Sequence, residues 1–333
     1  LRFCFCALGS TGRDISFDLK RIEGYRNFCN KLWNASRFVY MTTDGYNYED
    51  RIKFNNLTTY EKFIIIKLDD LVTEYKKHCI SYRFDLMANS LYSFIWNEYC
   101  DWFVEISKVE IENGNEYTKN VLIYTLQIIL KLCHPIIPYI TEEIWNEMNS
   151  LGYTKDQILM NAKFPSQQKI FKDASIDTEV SLLKEFINKI RKTRSDLNVH
   201  PKIEIDIYCF SQDDLVKKFL DNNNSIICSL LKVKNIFINE DSFDINECIT
   251  VSLENLKIYI PIKKIIDIKT EKERLLKSMI NLQVNLSKIE AKLNNKNFIE
   301  KAPSEIIQSN FNKQKFFEKE IASVKDLLEC LSD

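Results

Sequence analysis

From residue 13 to residue 151 the apolar positions return every three or four residues, with few glycines or prolines between them. This spacing predicts a succession of amphipathic helices. Breaks are expected at 42–57 and 113–115. Ser16 or Asp18 can cap the first long helix, and Thr58 or Thr59 the next, with Leu57 placed as a hydrophobic staple. Between Tyr82 and Trp102, Leu86, Leu91, Phe94, Ile95, Tyr99 and Trp102 form one core-facing stripe. A fourth helix is expected over about 118–132. The run Cys133-His134-Pro135-Ile136-Ile137-Pro138 then breaks the pattern, since proline lacks a backbone donor and restricts the residue before it. Thr141, followed by Glu142 and Glu143, restarts a short helix whose carboxylates suit the positive end of the helix dipole. Four or more helices on short connections make a bundle.

The pattern loosens over 164–173, returns as a helix over 176–197, and then changes period. Lys202-Ile203-Glu204-Ile205-Asp206-Ile207-Tyr208 alternates strictly, with Ile203, Ile205 and Ile207 on one side of a strand. Further strands are expected at 236–238, 250–253 and 257–262, with a helix over 214–220. This text fits a small mixed α/β domain between about 198 and 268. In the last segment Leu275, Met279, Leu282, Leu286, Ile289 and Leu293 alternate in fours and threes. Ile307, Phe317, Ile321, Val324, Leu328 and Leu331 lie on a second such stripe, interrupted by the polar Asn310 and Gln314. Two helices of this kind make an antiparallel coiled-coil hairpin. The predicted fold class is mainly α: a helical bundle, a small mixed α/β domain and a C-terminal coiled-coil hairpin.

Composition changes this picture little. A chain of 333 residues has room for two or three domains of roughly 100–200 residues each. Its 46 Lys and Arg balance 47 Asp and Glu, so any nucleic-acid site must come from a local patch. The ten cysteines show no CxxC pair or short-loop framework and read as reduced core residues of a cytoplasmic protein. No stretch reaches the ~20 uninterrupted apolar residues of a membrane span. His78, His134 and His200 form no ligand pattern, so no metal site is expected. Glu98, Asp101 and Glu105 share a helix side and read as a hydrated edge. No residue is assigned to catalysis.

One stretch stands apart. Arg26, Asn27, Asn30, Lys31, Asn34 and Arg37 follow helical spacings, gathering amides and cations along one side of a helix. Asn offers both donor and acceptor to base edges, while Arg and Lys hold phosphates, which is how unpaired RNA loops are read. The plain reading of the same residues is a solvated helix face. Lysines also gather near the hairpin tip, at Lys288, Lys292, Lys296 and Lys301, interleaved with Glu290, Glu300 and Glu305, as on an ordinary coiled-coil surface.

The segment from Ser10 to Phe38 resembles, nearly word for word, the start of the anticodon-binding bundle of valyl-tRNA synthetases. The resemblance extends through Tyr82-Arg83-Phe84-Asp85, Cys100-Asp101-Trp102, the His134 to Trp145 run, Asn198-Val199-His200-Pro201-Lys202 and Lys301-Ala302-Pro303. The wording Glu23-Gly24-Tyr25-Arg26-Asn27 and the coiled-coil end favour the valyl branch over the isoleucyl and leucyl ones. The resemblance implies a catalytic-core junction at 1–20, an anticodon-binding bundle at 21–165, a connecting helix and small α/β domain at 166–268, and a tRNA-binding arm at 269–333. It implies that Arg13, in the Gly9 to Asp14 turn, touches the tRNA backbone or pairs with Asp14. Phe63 stands where the family keeps a large aromatic beside a cation, and the resemblance implies either stacking on an anticodon base or a place in the core. It tips the hairpin lysines towards tRNA. The family's H-I-G-H and K-M-S-K-S signatures are absent from these residues, and the resemblance implies a catalytic core before Leu1, joined in cis or supplied in trans. ATP and Mg²⁺ would serve that core and no cofactor belongs to this part. The implied partner is tRNA(Val), and the implied state a monomer. The alternative is a helical and coiled-coil scaffold that has lost specific RNA binding.

Overall fold

A computed structural model of the chain describes residues 1–9, 19–168, 173–240, 244–245, 248–261, 268–294 and 304–330. Its contacts divide the chain into two compact units, 1–183 and 184–333.

The first unit is helical: α1 (Arg2–Leu8), α2 (Leu19–Thr43), α3 (Thr59–Ile80), α4 (Phe84–Ser93), a π-helical segment (Phe94–Phe103), α5 (Val104–Glu112), α6 (Tyr117–Cys133), α7 (Pro138–Ser150) and the start of α8 (Ala174–Asp196). Thr58 caps α3 in a full capping box: Glu61 N–H donates to Thr58 Oγ1 at 3.4 Å, and Thr58 N–H donates to Glu61 Oε2 at 2.9 Å. Leu57 beside it is buried, as its place ahead of the cap predicts. α7 starts at Pro138, three residues before the expected Thr141, because proline at the first helical position loses no hydrogen bond.

α6 is apolar all round and nearly all buried, which makes it the central helix. Its buried polar groups are all spent on neighbours except Thr125. Asn120 accepts from Glu49 N–H at 2.7 Å and donates to Glu49 O at 3.0 Å; Gln127 donates to Tyr153 O at 2.6 Å; Thr118 donates to Glu61 Oε1 at 2.6 Å. The Asn120 and Gln127 bonds satisfy backbone groups of the connections around the helix, and the Thr118 bond holds the Glu61 carboxylate of α3.

The helix from Phe84 to Glu112 is continuous, but its middle turns are wider. Extrapolating an α period from Leu91 and Ile95 places Trp102 inside. At the end of the π segment Phe103 is buried, as is Val104 at the start of α5, while Trp102 is half-buried and Leu86, ahead of the segment, is 37% exposed. The longer turn shifts the core stripe by about one residue.

In the second unit a four-stranded sheet has the order β2-β1-β4-β3, with β1 (Ile205–Phe210), β2 (Val233–Ile238), β3 (Cys248–Leu253) and β4 (Leu256–Pro261). β1 and β2 are parallel and joined through α9 (Asp214–Asn222) and α10 (Asn224–Leu231), the latter not foreseen from the sequence. β3 and β4 form a hairpin closed by Glu254 and Asn255, and β4 pairs antiparallel with β1. Ile205, Ile207 and Cys209 face inward as the alternation predicts, whereas Ile203 lies before the strand, 39% exposed. α11 (Ile268–Leu293) and α12 (Ser304–Cys330) make the antiparallel hairpin. Leu275, Ile289, Leu293 and Ile321 are buried in its seam, and Asn310 and Gln314 sit half-buried in the same seam as the expected polar gap. Among the described residues no helix is long and apolar enough to cross a membrane, and no group of side chains could hold a metal ion.

Candidate nucleic-acid interface

α2 carries Lys20, Arg21, Arg26, Lys31 and Arg37 against a single carboxylate, Glu23. Phe28, Leu32, Ala35 and Val39 lock one side of it into the core, with the Ser36 and Thr43 hydroxyls donating to Leu32 O and Val39 O one turn back. The other side is thereby fixed outward. Arg26, Asn27, Asn30, Asn34 and Arg37 are all exposed on it. Neither arginine has an ion-pair partner among the described residues.

Trp33 joins this row, 39% exposed, with no ring or hydrogen-bond partner among the described residues. Sequence reading passed over it, although its spacing of three, four and seven from Asn30, Arg37 and Arg26 puts it on the same arc. An indole between arginines and amides gives the row an aromatic surface on which a base can stack.

Lys31 lies at the edge, half-buried. Its Nζ is ion-paired with Asp101 and stands 3.9 Å from the centroid of the Trp96 ring. Trp96 stacks on Tyr92 at 5.5 Å and 11°, Tyr92 on Phe28 at 5.1 Å, and Phe28 meets Phe3 at 4.8 Å. This ladder ties α1, α2, α4 and the π segment together with Lys31 as its cap, and it holds the ammonium in a defined place beside the exposed row. The Cys100 thiol behind it is pushed up to about 12 by burial, so it stays protonated and chemically quiet.

Phe63 is not on this surface. It is buried within α3, only 9% exposed, with Lys67 Nζ of its own helix 5.1 Å from the ring centroid. The stacking alternative for Phe63 is therefore corrected to a core role: α3 turns an apolar face inward through Phe63, Ile64 and Ile66, and the ring goes with it. Lys288 and Lys292 are exposed one turn apart on α11. Arg13, Lys296 and Lys301 lie outside the described residues.

The histidines are dispersed: His134 Nδ1 lies 2.9 Å from Thr141 Oγ1, and Lys202 N–H donates to His200 Nδ1 at 3.2 Å. Nothing in the α2 row pairs an acid with a base or a nucleophile. The arrangement can neutralise, hydrogen-bond and stack. Those are the operations of RNA binding.

Comparison with known proteins agrees with this chemistry. Residues 61–209 match the anticodon-binding domain of tRNA ligase, and residues 267–332 match the valyl tRNA synthetase tRNA binding arm. The chain belongs to the valyl-tRNA synthetase family. It is 37% identical over 94% of its length to a valine–tRNA ligase of Buchnera aphidicola subsp. Acyrthosiphon pisum, and 36% over its whole length to that of Buchnera aphidicola subsp. Schizaphis graminum. Against the valine–tRNA ligase of Francisella tularensis it is 34% identical over 99% of its length. The chain covers 33%, 35% and 36% of these relatives, about a third of each. Within the valyl-tRNA synthetase family the arm match takes in α11 and α12 with all four hairpin lysines. α2 precedes the anticodon-domain match but lies within the likeness to the Buchnera aphidicola subsp. Schizaphis graminum protein, which takes in the whole of this chain.

Proposed function

We propose that this chain is the tRNA-binding C-terminal portion of a valine–tRNA ligase, holding tRNA(Val) so that the acceptor end reaches a catalytic core outside these residues. The observation that carries the reading is the outward row Arg26, Asn30, Trp33, Arg37, fixed by the buried face of α2 and flanked by Asn27 and Asn34. Arginines supply phosphate contacts, amides supply base-edge contacts, and Trp33 supplies a stacking surface worth about 1–3 kcal/mol per base. Lys288 and Lys292 add a second cationic patch on the arm. Binding supplies orientation, and the covalent chemistry belongs to the core. In this reading ATP and Mg²⁺ serve that core, these residues need no cofactor, and the protein works in the cytoplasm as a monomer.

The test is binding of the purified chain to tRNA(Val), with tRNA(Ile) as competitor, across a salt series. Preferential, salt-sensitive binding supports the reading. Weak binding that ignores tRNA identity favours a scaffold without specific RNA recognition.

A further inference from the structure

The ion pair between Lys31 and Asp101 joins α2 to the π segment at the rim of the cationic row. Stepping at about 100° per residue puts Asn27 and Asn34 about 40–60° round α2 from Lys31, and Arg26, Asn30, Trp33 and Arg37 about 100–160° round in the same direction. The surface therefore passes from arginines that only donate, across amides that donate and accept, to a carboxylate that only accepts.

An ion pair open to solvent adds little to stability. Its consequence at this rim is placement. Lys31 Nζ is held from a second side by the Trp96 ring, 3.9 Å from its centroid, and that ring is stacked on Tyr92 in the ladder that ends at Phe3. The ammonium bonds Asp101 Oδ1, and Oδ2 accepts no bond among the described residues. Asp101 keeps 47% of its side chain exposed against 24% for Lys31, so the carboxylate is the member of the pair open to a ligand.

A fixed carboxylate repels phosphate, and the ammonium beside it is neutralised, so this rim adds nothing to backbone binding. What RNA can offer to an acceptor is an N–H of a base or a ribose 2′-OH. With phosphates on the arginines beyond the amides, the part of a nucleotide that reaches the rim is the edge of its base. We infer that Asp101 is a specificity-determining residue that accepts a hydrogen bond from the exocyclic amino group of an unpaired base in the bound RNA. The inference rests on the RNA-binding reading above and adds to it a choice among bases, since cytosine, adenine and guanine carry such a group and uracil does not. Lys31 and Trp96 act through the carboxylate as positioning residues.

The test compares the full unmodified chain with Asp101→Ala, and with Asp101→Asn as the variant that keeps the side-chain volume, thermal melts checking the fold of both. Binding is followed by anisotropy on tRNA(Val) transcripts whose unpaired anticodon-loop bases are changed one at a time, cytosine to uracil and adenine or guanine to hypoxanthine. A parallel set carries single 2′-deoxy substitutions. One base change is expected to weaken binding to the unmodified chain roughly tenfold or more, and to alter binding to Asp101→Ala by less than roughly twofold. Freed of its acid, Lys31 gains a phosphate contact, and the log–log salt slope of the variant is expected to steepen by about 1. Base changes that cost the unmodified chain and the variants alike, or a slope that does not steepen, overturn the inference and leave the RNA reading standing. Absence of tRNA binding by the unmodified chain overturns both. Coupling of Asp101 to a 2′-deoxy substitution and to no base change assigns the donor to ribose and overturns the choice among bases.

Discussion

Tyr82 holds a φ of 54°, a conformation that costs an L-residue with a bulky side chain roughly 1–2 kcal/mol. It ends α3 in the same way that Gly114 ends α5, Gly152 ends α7 and Asn198 ends α8, with a bond from two residues past the cap to the last turn, here Arg83 N–H to His78 O at 2.9 Å. Its ring is 79% exposed and meets only Phe84 edge-on at 6.3 Å among the described rings. Tyr82→Gly is thus expected to stabilise the bundle by about 1 kcal/mol, read as a higher Tm. An unchanged or lower Tm would mean that the Phe84 contact outweighs the backbone cost. The neighbouring Asp85 takes both arms of Arg83, Nε at 2.8 Å and Nη2 at 2.6 Å, and the guanidinium holds its carboxyl down to about 2. A carboxyl depressed in the folded state contributes stability that is fully present above the unfolded value of about 3.9 and lost as pH falls towards 2. Acid titration should show Asp85→Asn destabilised at neutral pH, with the difference closing between about pH 4 and pH 2. A difference that persists unchanged at pH 2 would assign the effect to packing. At this scale the sequence was legible where partners are neighbours, as in the Thr58 and Glu61 box. It was silent where they are distant: Glu61 also accepts from Thr118, 57 residues on, and no local spacing announces that.

For single elements, periodicity located nearly every helix, because each must bury one stripe against the next. It failed where another constraint overrode the period. Ile203 fits the strand alternation, but its carbonyl is held by Arg194, so the strand starts two residues later. Periodicity leaves Phe63 open between stacking and core and does not single out Trp33, since an aromatic on an amphipathic helix is inside or outside by a single step of about 100°. On α2, Arg26→Ala with Arg37→Ala should lower the tRNA salt slope by about 2, one for each phosphate contact. Trp33→Ala should cost about 1–3 kcal/mol of binding with the slope nearly unchanged. Alanine keeps the helix, so circular dichroism should not move. If Trp33→Ala binds as well as the unmodified chain, the indole is not a stacking surface. In the arm, Asn310→Leu with Gln314→Leu extends the apolar seam and should raise the melting transition by roughly 1 kcal/mol per site at half burial. No rise would show that the bonds lost, among them Gln314 Nε2–H to Glu318 Oε1 at 3.2 Å, offset the apolar gain.

Across the whole molecule, charge is near balance, so attraction for RNA has no overall field behind it and depends on where cations are left without acids. That is legible in part from sequence, as in α2 with its one carboxylate. It is illegible at Lys31, whose ion pair with Asp101 joins residues 70 apart in sequence. The continuity of α4, the π segment and α5 has a consequence for how such chains can change over evolutionary time. Ten residues in wide turns accumulate about one residue more than an α-helix of the same sweep would hold. In most of a packed helix, losing a residue rotates everything beyond it by about 100° and exposes a core face. Between Phe94 and Phe103 the same loss, for instance of the exposed Asn97, would let the backbone relax to α geometry with Leu91 on one side and Ile106 on the other still facing inward. The stretch is a place where the gene can drop a codon and the bundle need not notice.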